Sequence, residues 1–139
     1  MNNIEERTLS IIKPDAVERK LEDKIKNFFL KNDLRISDSK KIQITKEEAE
    51  GFYKVHQSKP FYKDLCSYLS SGPIEVIILE GRNAIKENRR LMGATDPKKA
   101  EKGTIRFLYG ISIDKNSVHG SDSLDNAKKE IDFFFKANF

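Results

Sequence analysis

The stretch Ile74-Glu-Val-Ile-Ile-Leu79 (IEVIIL) is the clearest strand in the chain, and the reading of the fold starts from it. Ser-Gly-Pro at 71–73 stops whatever precedes it. Downstream, Asn83 is placed to cap a helix running to Met92, with Gly93 just beyond its end. Upstream, Ser58 precedes a short helix carrying Phe61, Leu65, Tyr68 and Leu69. Thr45-Lys-Glu-Glu48 matches a capping box, in which Thr and Glu satisfy free N–H groups, and opens a helix with Ala49, Phe52 and Tyr53. Leu34 and Ile36, then Ile42 and Ile44, alternate as strand residues do. Further out, Leu21, Ile25, Phe28 and Phe29 recur at the spacing of an amphipathic helix. Leu9, Ile11 and Ile12 read as a buried strand closed by Lys13-Pro14, and Leu124, Ala127, Ile131, Phe134 and Phe135 make one helical face near the end. Residues 93–116 show little periodicity beyond an apolar patch at Ile111 and Ile113. A loop of that length holding aromatic and basic residues points to function. Strands alternating with helices, with a hairpin-like pair among them, predict an α/β sandwich with helices packed on a mixed or antiparallel sheet.

A length of 139 residues suits one domain, 1–139, able to bury a core without staples. Cys66 is the single cysteine, so no internal disulfide can form, and it lacks clustered partners for a metal site. The opening MNNIEERTLS has no apolar signal region, and no apolar run approaches the roughly 20 residues that span a bilayer. The expectation is a soluble cytoplasmic protein with no membrane partner. The net charge of +4 fits an anionic ligand, either nucleotide or nucleic acid.

Two histidines are present, His56 and His119. His56, beside Gln57 and Ser58, reads as structural. His119 sits in Asn116-Ser-Val-His-Gly-Ser-Asp-Ser123, just before a helix. Gly120 lets a bulky group approach the backbone, and Ser121, Asp122 or Ser123 can cap the helix, whose N-terminus favours anions. Glu130 lies about two turns in, roughly 60–80° off the centre of the apolar stripe, from where it could reach a ring nitrogen of His119 and fix its tautomer. Lys13 ends the first strand, Arg89 and Arg90 lie on the helix before the loop, and Arg106 lies in the loop, all of residue types that usually sit solvated on the surface. No Walker A motif is present, so a phosphate site here is not of the P-loop kind.

The signature around His119 resembles the active-site signature of nucleoside diphosphate kinases. The likeness continues in ERTLSIIKPDAV at 6–17, KPFY at 59–62, SGPIEVIILEG at 71–81, RRLMGATDP at 89–97, GTIR at 103–106 and AKKEIDFFF at 127–135. These blocks keep the family's order over nearly the whole chain. The resemblance implies a ferredoxin-like βαββαβ sandwich, an antiparallel four-stranded sheet covered by helices, with a long loop at 93–116. It implies transfer of a γ-phosphate from a nucleoside triphosphate to a nucleoside diphosphate, by a ping-pong route through a phosphohistidine at His119. Lys13, Arg89 and Arg106 would clamp phosphates, Thr95 would hydrogen-bond one, Asn116 would bond the sugar hydroxyl and Phe61 would stack on the base. Tyr53 would lie near Lys13 and the histidine, with Ser121 and Glu130 supporting it. Mg²⁺ would be held mainly by nucleotide phosphates, with no protein ligand named, and the assembly would be a homohexamer or a tetramer.

The residue types suit that chemistry. Phosphoryl transfer depends mainly on positioning and charge stabilisation, which three cations and Mg²⁺ can supply without a Gly-rich cradle. A neutral imidazole is a good nucleophile near pH 7, and a stacking ring tolerates any base. Two positions depart from the family's pattern. Ala16 stands where many relatives have glycine, and Phe107-Leu108 where a Gly-Asp pair is common. The first is a mild change at a helix start; the second bears on the loop's path and its subunit contacts, and neither removes a residue assigned a catalytic or phosphate role. A rival class is a nucleic-acid-binding module, because Arg106-Phe-Leu-Tyr-Gly110 faintly resembles the aromatic strand motif of RNA-recognition domains. The strands LSIIK and IEVIIL, however, carry no outward aromatics for bases. A catalytically dead relative would lack one of the matched polar residues, and all are present.

Overall fold

The computed structural model describes residues 5–136. In chain order the elements are β1 (Glu5–Ile12), α1 (Pro14–Glu18), α2 (Glu22–Lys31), β2 (Arg35–Ile42), α3 (Lys46–Phe52), α4 (Tyr62–Leu69), β3 (Ile74–Arg82), α5 (Ala84–Met92), α6 (Ile105–Tyr109), β4 (Val118–Gly120) and α7 (Leu124–Phe135). Short 3₁₀ turns occupy Lys54–His56 and Pro97–Lys99. The sheet order is β2-β3-β1-β4 with every neighbour antiparallel, the ferredoxin-like plan. The connection from β2 to β3 is longer than a hairpin and carries α3 and α4.

The run at 74–79 is apolar without clean alternation because β3 is covered on both faces. Ile77 and Leu79 join Ile12, Phe29, Leu91 and Met92 in one core layer. Ile74 and Val76 join Leu9, Ile11, Cys66 and Phe134 in the other. The charge inside this run, Glu75, is buried but paired with Lys26 at 2.5 Å. β2 is an edge strand, mostly open to solvent, and bulges between Ile36 and Asp38. Its weak pattern follows from that exposure, and Ile44 falls beyond its end, beside the capping box that Thr45 and Glu48 do form.

Other boundaries differ from the sequence expectation. Asn83 stands at the start of α5 but caps nothing with its side chain, because its backbone is left-handed (φ 53°). The Glu6 carboxylate instead accepts from the Ile85 N–H at 3.3 Å. The helix expected after Ser58 begins at Tyr62, since the chain first passes through turns at 57–61 that include Pro60. Residues 93–116 are not a bare loop: α6 lies within them, capped by the Thr104 hydroxyl, which accepts from the Phe107 N–H.

β4 has three residues and pairs Ser10 with Gly120, Ile11 with His119 and Ile12 with Val118. Gly120 is required for contact with α5. A Cβ there would come within 2.4 Å of Asn88 Nδ2 and 2.6 Å of Met92 Sδ, both on buried side chains. The bulky group that approaches this glycine is therefore a helix of the protein itself. Gly120→Ala should lower the unfolding free energy by about 1–3 kcal/mol through overpacking. Urea titration would measure it, and unchanged stability would mean that α5 yields easily.

Candidate active site

The site forms where β1 ends and β4 begins. The Lys13 N–H donates to the Ser117 carbonyl at 2.8 Å, and one step further His119 stands opposite Ile11. Its imidazole emerges on the sheet face covered by α3 and α7. The rings of Phe52 and Tyr53 meet it edge-on at 5.4 and 6.5 Å. From α7, Glu130 Oε1 lies 3.1 Å from His119 Nε2. The Ser121 hydroxyl donates to the same oxygen at 2.8 Å and accepts from the Leu9 N–H at 3.3 Å. α7 is capped by Ser123, whose hydroxyl accepts from the Asn126 N–H, and is seated by Ala127 and Phe134, both fully buried. Glu130 falls between those two seats and flanks the buried face. A carboxylate only accepts, so Nε2 carries the hydrogen and Nδ1 keeps its lone pair. The side chain is 22% exposed and borders a cleft of about 700 Å³.

Cations gather along the same cleft. Lys13 is buried and donates from Nζ to Asn116 Oδ1 at 2.9 Å, while Asn116 Nδ2 donates to the Thr95 carbonyl at 3.1 Å. Arg106, also buried, donates to the carbonyls of Gly93 (3.0 Å) and Val118 (2.8 Å). Its Nε is buried without a partner. Gly93 must be glycine here, since its φ is +86° and a Cβ would strike Thr104 Oγ1 at 2.5 Å. Arg89 and Thr95 are exposed on the cleft wall. Burial, followed by the charge of Arg106, lowers the Lys13 amine to about 8, with Asp15 and Asp114 pulling the other way. Burial and the charge of Arg89 lower Arg106 to about 10. Burial and the Glu130 charge push the Tyr53 phenol well up, so its hydroxyl stays protonated.

All ten residues singled out in the sequence border this cleft or support it: Lys13, Tyr53, Phe61, Arg89, Thr95, Arg106, Asn116, His119 and Glu130 line it, and Ser121 lies behind His119. Phe61 is 43% exposed at the start of α4, with Lys59 Nζ 5.7 Å from its ring centre. Three further features were missed. His56 also lines the cleft, its ring 6.0 Å from Phe61 and 6.2 Å from Tyr53, and its Nδ1 is buried without a partner. The capping-box helix places it there, and no local pattern announces this. Ile113, 56% exposed, lines the cleft as well, although the sequence marked it as part of an apolar patch. Asp15, buried behind Lys13, braces the segment that carries Asn116 (see below). The segment Arg106–Tyr109 is helical, so the strand motif on which a nucleic-acid reading leaned is not a strand.

An imidazole with one nitrogen held by a carboxylate, facing several cations across a cleft of small-molecule size, can take a group from a phosphorylated ligand. Comparisons with known proteins agree in kind. The family model described as nucleoside diphosphate kinase matches residues 6–139. A nucleoside diphosphate kinase from Campylobacter jejuni is 59% identical over 133 residues, which span 96% of this chain and 97% of that protein. One from Nitratiruptor sp. is 58% identical, over 94% of this chain and 95% of that one. In structure, the nucleoside diphosphate kinase of Aquifex aeolicus superposes with a TM-score of 0.93 at 41% identity, covering 95% of this chain and 96% of that one.

The lowered Lys13 amine gives a pH signature. A group depressed to about 8 is fully charged well below that value and loses its charge as pH rises through it. Sulfate, whose own charge is constant in this range, should bind at about pH 7 with the Lys13 amine charged. By about pH 9 it should weaken by up to about tenfold. Calorimetry from about pH 7 to 9 measures it, with Lys13→Met as the control that lacks the Lys13 titration. A flat profile in the unsubstituted protein would show that Lys13 does not titrate there.

Proposed function

The chain belongs to the nucleoside diphosphate kinase family, and from that premise we propose how its own residues carry the family's reaction. The enzyme transfers the γ-phosphate of a nucleoside triphosphate to a nucleoside diphosphate by a ping-pong route through a phosphohistidine. The histidine is His119. The observation that carries this assignment is the 3.1 Å contact from Nε2 to Glu130, which leaves the Nδ1 lone pair for the cleft.

In the first half-reaction, Nδ1 attacks the γ-phosphorus in line. A nitrogen–phosphorus bond forms and the bond to the β-γ bridging oxygen breaks, leaving that electron pair on the departing diphosphate. The ring gains positive charge as it attacks, and the Glu130 carboxylate stabilises it through the Nε2 hydrogen without needing to move a proton. Ser121 holds Glu130, and Leu9 holds Ser121, so the ring cannot rotate away. Lys13, Arg89 and Arg106 offset charge on the phosphate oxygens, with Thr95 as a hydroxyl donor. The second half-reaction runs the same steps backwards onto another diphosphate. Phe61, with Ile113 beside the same opening, offers the base apolar surface and no edge donors, which suits purines and pyrimidines alike. Asn116 and Lys13 bond the sugar hydroxyls.

When bound, Mg²⁺ would be held mainly by the nucleotide's own phosphates and would offset part of their charge. Asp114 and Asp122 line the cleft and are oxygen donors of the class that Mg²⁺ accepts. Residues 1–139 act as one catalytic domain. No helix among the described residues is long and apolar enough to cross a membrane, and we place the enzyme in the cytoplasm with nucleotides, rather than nucleic acid, as primary partners. It assembles as a homohexamer, with a tetramer as the alternative. Phe107 and Leu108, 44% and 50% exposed on α6, are suited to lie in a subunit contact near the loop.

Incubation with γ-labelled ATP and Mg²⁺ should label His119 through a bond labile to acid and stable to alkali. Label that survives acid or persists in His119→Ala would contradict this. Glu130→Gln should slow single-turnover labelling on the order of 10²-fold through misorientation of the ring, with nucleotide affinity nearly intact. For the assembly, gel filtration with light scattering should give six subunits, or four; a fully active species at 16.0 kDa would refute it.

A further inference from the structure

Asp15 is the most heavily bonded carboxylate that the mechanism does not use. It follows Lys13-Pro14 on α1, and its side chain is 3% exposed. The Ser117 hydroxyl donates to Oδ2 at 2.8 Å and the Ser117 N–H to Oδ1 at 3.3 Å. Arg19 Nη2 donates to Oδ2 at 3.0 Å. The Tyr68 hydroxyl, from α4, makes a short bond to Oδ1 and accepts from the Asp15 N–H at 2.8 Å. Burial and this carboxylate push the Tyr68 phenol up, so it remains a donor. Arg19 Nη2 also reaches the Tyr109 carbonyl at 2.6 Å, at the end of the helix that carries Arg106.

Ser117 is what these bonds hold. It is fully buried and left-handed, with φ +74°, a conformation a non-glycine residue keeps only when its surroundings impose it. Its carbonyl takes the Lys13 N–H, and the residue before it, Asn116, takes the Lys13 amine. His119 follows two residues later. The strained residue is thus the joint between the three groups that meet the nucleotide.

We propose that Asp15 is a positioning residue for the phosphate end of the cleft: its carboxylate imposes the left-handed turn at Ser117 and so sets Lys13 and Asn116 against each other. The proposal rests on the reading of Lys13 and Asn116 as nucleotide contacts. The carboxylate has a second effect, because Asp15 and Asp114 are the negative charges that favour the charged form of Lys13, against burial and Arg106. Tyr53, Arg89, His119, Asp122 and Glu130 are further titratable groups that line the same cleft.

Asp15→Asn is the test. The amide nitrogen cannot accept from the Ser117 hydroxyl or Arg19. Initial rates across pH should show KM for the nucleoside diphosphate raised roughly tenfold, with kcat at saturation within about threefold. The alkaline limb of kcat/KM should move to lower pH, because Lys13 has lost a favourable charge. Tyr68→Phe keeps the carboxylate charge, so a smaller rise in KM should come without movement of the limb. A folded Asp15→Asn with unchanged KM and limb and merely a lower Tm would overturn the proposal. If that variant does not fold, unchanged KM in Tyr68→Phe would overturn it. Lys13→Ala separates the two readings: unchanged KM there would mean that the nucleotide contacts themselves are misassigned.

Discussion

Two like charges are buried in one wall of the cleft, and neither is neutralised by a bonded carboxylate. Lys13 Nζ bonds an amide oxygen and Arg106 bonds two backbone carbonyls; among the described residues neither makes an ion pair. Taking such charges out of water is expensive, and the depressed Lys13 and Arg106 groups express that cost. A fold does not keep this arrangement for its own stability. An anionic ligand with several oxygens removes the imbalance, so the protein is built to be most comfortable when a polyphosphate is bound.

The rest of the architecture can be understood as holding that wall still. From Thr8 to Ile12 β1 is buried on both sides, and it is paired with β3 along its whole length and with β4 near its end, so the position of Lys13 at its tip is fixed by the deepest part of the core. β4 needs only three residues because it has one task, to set His119 beside that tip. α7 is seated by Phe134 and Ala127 and delivers Glu130 from the flank. The charged groups therefore sit on rigid elements, while Phe61 and Ile113, which need only offer apolar surface, sit exposed at the cleft opening.

How much of this could be read in the sequence depends on how local each signal is. The run at 74–79, the capping box at 45–48 and the i, i+4, i+7, i+8 pattern at 21–29 depend on neighbours in the chain, and all three appear as elements. Glu130 was reachable by helical geometry, since its angle to the apolar stripe follows from spacing alone. α6 was not legible, because five residues give too short a period to see and its cap, Thr104, also packs on Gly93 from another segment. Asn83 misled because a good capping residue is equally at home in a left-handed turn. Asp15 was silent for a different reason: its partners lie far away in sequence, Tyr68 and Ser117 at separations of 53 and 102 residues.

With Glu130 bonded to Nε2 of His119, Nδ1 is the nitrogen left open for the phosphorus proposed to bond there. Heteronuclear NMR of ¹⁵N-histidine-labelled phosphoenzyme, read through the phosphorus–nitrogen coupling, identifies the bonded nitrogen directly. Phosphorus should couple to Nδ1, with a hydrogen retained on Nε2. Coupling to Nε2 would contradict it, because that nitrogen could then not be the one bound to the carboxylate during transfer.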